Sequence, residues 1–236
     1  MRIKSLVDHA KQYLENGIVK GSFLPGQQIK EEQIASHLGF SRPPIREAFK
    51  ILEAEGLLTR KPNRGVFVST IDADDIWEIY SLKMALYGLA ARLAIEKISD
   101  RGIRRLEREV EKMEECVRSE PTDLVKYQTL NETFHNVTIE IAGHERLKKI
   151  AASLQNQVKR FSYKSLADRN HLQSSCRYHR EILEAIKRKD KDAAERLNRE
   201  HILKGLHVLQ ETIFGEEESK PDVAEQSFGV RAATRA

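Results

Sequence analysis

Two sets of side chains in this sequence have the types and spacing to do chemistry. In the first, Asn131 and His135 are four residues apart, so both leave one face of a helix. His179 and His201 fall in two later helical stretches, flanked at helical spacing by Ile182, Leu183 and Ile186 and by Leu197 and Leu203. Three histidines directed into a helical bundle could supply imidazole nitrogens to Zn²⁺, Ni²⁺ or a similar ion, with Asn131 giving an oxygen. Such a centre would keep open positions for water or for a ligand's carboxylate. The same spacing also fits histidines hydrogen-bonded within a core, the commoner fate of a buried imidazole. His9, His37, His144, His171 and His207 have no comparable pattern and read as surface or packing residues.

The second set is a basic stripe. Arg42 and Arg46 are four residues apart and Lys50 continues the line, while Ile45, Ala48, Phe49 and Leu52 form the opposite, apolar side. Ser41 is placed to cap this helix, and Pro43 and Pro44 fall in its first turn, where a missing N–H costs little. A helix that reads bases from its N-terminal turns would use such arginines on guanine O6 and N7. Arg60, Lys61 and Arg64 would bring the tip of a short hairpin against phosphate or into a minor groove, and Gly65 permits a close turn there. The alternative for the stripe is a solvated charged face.

These residues need elements to position them. Residues 3–19 have apolar side chains at helical spacing, 23–26 form a loop, 30–38 a short helix, 39–41 a tight turn and 43–55 a second helix stopped by Gly56. Two short apolar runs, 57–60 and 66–68, flank Lys61-Pro62-Asn63-Arg64-Gly65 and predict a β-hairpin. That order is a winged helix-turn-helix. Beyond it, glycine and proline become sparse, which predicts nearly continuous helix with short joints. Caps and breaks divide this part into helices over 72–97, 99–118, 121–142 (with Pro121 in its first turn), 145–166, 170–189 and 190–214. The expected fold class is therefore mainly α: a winged helix-turn-helix over 1–70, an all-α bundle over 71–214 and a flexible tail over 215–236.

Charge follows the same division. The chain of 236 residues carries +4, and residues 1–70 alone hold 11 Lys+Arg against 7 Asp+Glu. The remaining residues balance at 29 against 29. A composition of 40% hydrophobic and 32% charged residues excludes a collagen, a mucin or a wholly disordered chain. Cys116 and Cys176 fit neither a disulfide framework nor a metal-binding pair, the N-terminus is broken by charge too early for a secretory segment, and the stretch 84–95 is too short to span a bilayer. The expectation is a cytoplasmic protein with no membrane partner.

The stretch from Ser41-Arg42-Pro43-Pro44-Ile45-Arg46-Glu47-Ala48 through Leu52-Glu53-Ala54-Glu55-Gly56-Leu57 resembles the N-terminal domain of the GntR family of bacterial transcription regulators. Asn131, Phe134-His135, Tyr178-His179-Arg180-Glu181 and Glu200-His201 resemble the all-helical ligand-binding domain of its FadR subgroup, the FCD domain. Together the two resemblances cover nearly the whole chain. They imply that Arg42 and Arg46 contact base edges of a short inverted repeat, that Gly65 in the wing enters the minor groove, and that Asn131, His135, His179 and His201 hold a metal, Zn or Ni foremost. The implied protein is no enzyme but a homodimeric, ligand-responsive repressor of a double-stranded DNA operator, modulated by a small organic acid.

The sequence departs from the family pattern in places. Pro43 replaces the usual Thr, and Glu32 stands where many relatives carry a DNA-touching Arg. Asn131 replaces Asp, and His144 stands where Asn is usual. The usual Arg-x-x-Leu-Glu becomes Lys83-Met84-Ala85-Leu86-Tyr87, so Lys83 would meet an effector carboxylate as a point charge. Two rival readings of the bundle are a metal-dependent hydrolase and a metal-free pocket for an apolar ligand. The first lacks an evident general base, because Glu132 and Glu200 adjoin the candidate ligands in sequence and are expected on other helix faces.

Overall fold

In the computed structural model, residues 5–215 are described. The chain begins with helix α1 (Leu6–Val19), closed at its start by a reciprocal pair of hydrogen bonds between Ser5 and Asp8. It buries Ala10, Leu14 and Ile18, one residue per turn. Strand β1 (Gln28–Ile29) leads into α2 (Glu31–Leu38), which ends at Gly39 in the left-handed conformation, and then into α3 (Arg42–Ala54). Strands β2 (Leu58–Lys61) and β3 (Gly65–Val68) form the expected hairpin, with Leu58 opposite Val68 and Lys61 opposite Gly65. The sheet is antiparallel in the order β1-β3-β2, with Ile29 opposite Val66. A two-residue edge strand carries no readable alternation, which is why β1 was not foreseen.

The expected cap of α3 is corrected. Ser41 occupies the N-cap position with extended backbone, yet its side chain makes no capping hydrogen bond. A cap accepts from the N–H of the second or third helical residue, and here those are Pro43 and Pro44, which have none. Burial of Ile45, Ala48, Phe49 and Leu52 against α1 and the sheet holds the helix instead.

The remaining helices are α4 (Ala73–Lys97), α5 (Asp100–Arg118), α6 (Leu124–Ala142), α7 (Glu145–Ser165), α8 (Arg169–Lys187) and α9 (Lys191–Phe214). Asp72, Ser99, Asp123, Asp168 and Asp190 cap all of these but α7 through their side chains. Pro121 is not in the first turn of α6, as its type had suggested. The carboxylate of Asp123 accepts from the Lys126 N–H at 2.9 Å and sets the start later, at Leu124. Helix α4 packs along α9 and α6, α5 lies on α6 and α8, and α7 closes against α4, α6 and α9. Cys116 and Cys176 are both free and buried. Among the described residues no helix is long and apolar enough to cross a membrane.

The two parts of the chain meet where α1 and the turn after α3 lie against α7. Gly56, just past α3, has φ +75°, and a Cβ there would come within 2.7 Å of the side-chain amide carbon of Gln157 on α7. Only glycine allows both that backbone and that approach. The expected tail lies, beyond Gly215, outside the described residues.

Candidate functional site

The three histidines singled out from spacing converge. His135 on α6, His179 on α8 and His201 on α9 are all buried, and their ligand nitrogens lie within 4.8 Å of one another. The Nε2 atoms of His135 and His179 are 3.3 Å apart. Burial holds all three imidazoles below their usual range, His179 to about 4, and mutual repulsion adds to this for His135 and His201. All three are therefore neutral near pH 7, the form in which imidazole binds a metal. Nδ1 of His201 and Oδ1 of Asn131 are buried without a hydrogen-bond partner. Neutral imidazoles facing one another beside an unpartnered amide oxygen suit a divalent transition metal.

A cavity of about 50 Å³ adjoins this cluster. Helix α6 presents Gln128, Asn131, Glu132 and His135 to it, at i, i+3, i+4 and i+7. Glu132 thus faces inward, contrary to expectation, because the lining arc of α6 is wide enough to include both 131 and 132. Its carboxylate accepts from Gln128 Nε2 at 3.0 Å and Gln155 Nε2 at 3.2 Å, and lies 3.6 Å from Lys159 Nζ. Glu200 does point away, paired with Arg196 at 3.0 Å. Lys83 is buried beside the rings of Tyr80 and Tyr87 and donates to Gln155 Oε1 at 2.7 Å. Burial lowers its ammonium to about 8, partly offset by the Glu132 carboxylate.

Sequence reasoning missed one lining residue that it had the means to find. His171 is buried, lines the cavity and has an unpartnered Nδ1, and burial lowers it to about 4. It stands eight residues before His179 on α8, and that spacing puts both on one face. Gln128, Gln155 and Ser162 carry no such signal, since polar residues on a helix read as solvated.

In the N-terminal part, Arg42, Arg46 and Lys50 form an exposed stripe along α3. Each meets a carboxylate. Arg42 Nη2 is 2.9 Å from Glu32, Arg46 grips Glu31 through Nε and Nη2 at 3.1–3.3 Å, and Lys50 Nζ is 2.8 Å from Glu47. Exposed pairs of this kind are weak, so an arriving base or phosphate can replace them. At the wing, Gln28 Nε2 donates to the Arg64 carbonyl at 2.7 Å while the Arg64 side chain is exposed. Gly65 has φ +101°, and a Cβ there would lie 2.8 Å from Gln28 Nε2. A side chain at 65 would therefore break the hold on the tip.

Two family models match the chain. That of the bacterial regulatory proteins of the gntR family covers residues 6–68, and that of the FCD domain covers residues 78–204. The chain belongs to the GntR family. It is a DNA-binding transcription regulator, not an enzyme, and its FCD domain is consistent with the FadR-like subgroup. It is 30% identical over 208 residues to the HTH-type transcriptional regulator YdhC of Bacillus subtilis strain 168, covering 84% of this chain and 90% of that one. To the HTH-type transcriptional repressor RspR of Escherichia coli strain K12 it is 26% identical, covering 80% and 82%. The fold matches that of E. coli McbR/YncC with a TM-score of 0.73 at 20% identity, over 89% of this chain and 99% of that chain. A GntR transcriptional regulator from Rhodococcus sp. RHA1 matches at 0.70 and 23%, over 87% and 98%. Within this GntR-family chain, Glu32 is both a departure from the pattern and the partner of Arg42, so the recognition helix carries less free charge than its sequence suggests.

Proposed function

We propose that this GntR-family regulator is a homodimeric repressor released from its operator by a small organic acid. The reading divides the chain into a DNA-reading head over 1–70 and an effector and dimerisation domain over 71–214. Two heads would meet two half-sites, so the operator's inverted repeat mirrors the dimer's two-fold axis. Arg42 and Arg46 would reach base edges, each exchanging its glutamate for guanine, and Lys50 would reach phosphate. Ser41 and Arg64 would contact the backbone, with Gly65 letting the wing tip approach a minor groove.

The observation that carries the ligand-responsive part is the buried cluster of His135, His179 and His201 beside a polar cavity. These residues and Asn131 would hold the metal; affinity order alone does not choose between Zn and Ni. When bound, the ion supplies a Lewis-acidic pole for an effector carboxylate. Lys83 adds positive charge on the same side of the cavity. The carboxylate would draw Lys83 away from Gln155, and regulation requires that this arrangement favour one placement of the heads over the other.

Selection of bound sequences from a random DNA pool, followed by screening of small acids for release, tests the reading. An inverted repeat released by an acid only when metal is present is the expected result. A selected site that no small acid releases, with or without metal, would remove the effector half of the reading.

A further inference from the structure

We infer that Glu32 is a second base-reading residue, selecting a cytosine in the base pair next to the guanine that Arg42 reads. The inference rests on α3 being the recognition helix, as proposed above. Glu32 and Arg42 stand in the first turns of α2 and α3, and Arg42 Nη2 lies 2.9 Å from Glu32 Oε1. The two glutamates of α2 differ in how they are held. Glu31 is only 23% exposed and accepts from Nε and Nη2 of Arg46 together. Glu32 is 75% exposed and meets Arg42 where the reading helix begins. Of the two, Glu32 is therefore the carboxylate free to enter a groove.

When Arg42 turns to guanine, Glu32 loses its cation while DNA displaces the water around it. A carboxylate accepts hydrogen bonds and donates none, and leaving it unpaired is costly. Phosphates repel it, so an amino group on a base edge is the partner that remains. In the major groove guanine offers O6 and N7, and thymine offers O4 and a methyl group; none of these is a donor. Adenine offers its N6 amino group beside N7, an acceptor that opposes the second carboxylate oxygen. Cytosine offers N4–H₂ with no acceptor of its own beside it, the edge that suits a glutamate.

Distance sets the position. The cytosine paired with the guanine of Arg42 lies beside the arginine fork and would specify nothing that Arg42 does not. Successive base pairs are about 3.4 Å apart, close to the 2.9 Å that separates the two side-chain ends. Glu32, released from Arg42, thus reaches the next pair without leaving its place at the start of α2. Its charge has a second effect. Glu31, Glu32 and Glu47 each meet one basic residue of the stripe, so these carboxylates weigh against phosphate wherever the bases offer no compensation. Glu32 therefore discriminates by penalising wrong DNA as well as by bonding to the right one.

Binding of the full-length protein to every single-base variant of its selected operator, read by fluorescence anisotropy at fixed salt, tests this. Arg42→Ala is expected to relax the guanine position and so mark it. In the wild type a neighbouring pair should carry a cytosine whose replacement by thymine or guanine weakens binding about tenfold. Glu32→Ala should reduce that difference to within about twofold, keep the preference for guanine, and tighten binding to non-specific DNA. Glu32→Gln should move the preference at the same position to adenine, whose N6 and N7 match an amide, and it serves if the alanine variant misfolds. Relaxation of the guanine position alone in Glu32→Ala would make Glu32 a mere support for Arg42 and overturn the inference. A wild type with no such cytosine, or variants with unchanged preferences, would overturn it too and leave the DNA reading intact. If Arg42→Ala relaxes no position, the base-reading role of Arg42 falls and the inference falls with it.

Discussion

Nε2 of His179 faces Nε2 of His135 at 3.3 Å, while Nδ1 of His179 lies 2.7 Å from the carbonyl oxygen of Ser175. A carbonyl can only accept, so Nδ1 is assigned the proton and Nε2 presents its lone pair to the cluster. One backbone carbonyl thus sets the tautomer that a metal requires, the usual role of an outer partner to a ligating histidine.

His179→Ala is expected to abolish metal binding. Elemental analysis of the purified protein should find a divalent transition metal, absent from the variant. Saturating the wild type at a hundred times Kd should stabilise it by about 2.7 kcal/mol, with no effect on the variant. Metal-free wild type that ignores added Zn²⁺ and Ni²⁺ would end the metal reading.

The same burial makes the metal-free protein acid-sensitive. His179 and His171 are lowered to about 4 in the fold, whereas unfolded histidine titrates near 6.5. The unfolded chain therefore binds more protons between these values, and stability is kept above pH 6.5 and lost as pH falls towards 4. Urea midpoints across that window should fall steeply, and bound metal should move the loss to lower pH. A flat profile from 6.5 to 4 would contradict the burial of neutral imidazoles.

Burial lowers Lys83 to about 8, and a bound carboxylate would raise it. Effector binding above pH 8 then requires proton uptake. Affinity for an acid should be constant below pH 7 and weaken above 8, approaching about tenfold per pH unit. In Lys83→Met, binding should be weaker and lose this dependence. Isothermal titration at several pH values decides; unchanged affinity at pH 9 would place the carboxylate away from Lys83.

Arg46→Ala should weaken binding to the selected operator by about 1–3 kcal/mol and weaken non-specific DNA far less. Equal losses on both would mean that Arg46 touches only phosphate. Glu31→Ala frees Arg46 from the carboxylate it must leave, so binding to the selected operator is expected to tighten rather than weaken. Fluorescence anisotropy at fixed salt separates these outcomes.

Gly56→Ala should destabilise the protein by ~1 kcal/mol or more, because φ +75° is strained for alanine and its Cβ would displace Gln157. Gln157→Ala should recover the steric share of that loss and leave the backbone share. A loss in Gly56→Ala that Gln157→Ala leaves wholly unrecovered would show that the head does not rest on α7.

Much of this was legible in the residues, for identifiable reasons. Apolar spacing and side-chain caps are local, so α4 and α5 began where Asp72 and Ser99 predicted. Asn131, His135, His179 and His201 stood out because histidine among apolar neighbours is a rare pattern. Glutamine and serine have no such contrast, and so Gln128, Gln155 and Ser162 emerged only once three helices were assembled. Likewise the grip of Glu31 and Glu32 on Arg46 and Arg42 depends on how α2 crosses α3. Ser41 failed as a cap through knowledge already in the sequence: two prolines remove both N–H groups it would have served.

Gln155 and Gln157 are two residues apart on α7, about 3 Å along the axis and roughly 200° around it. One touches Lys83 in the cavity and the other lies against Gly56, where the recognition helix has just ended. The wall of the cavity is thus also the floor on which the N-terminal unit stands, one helix thick. A packed helix moves as a rod, so a displacement of α7 at Gln155 carries Gln157 with it in the same direction.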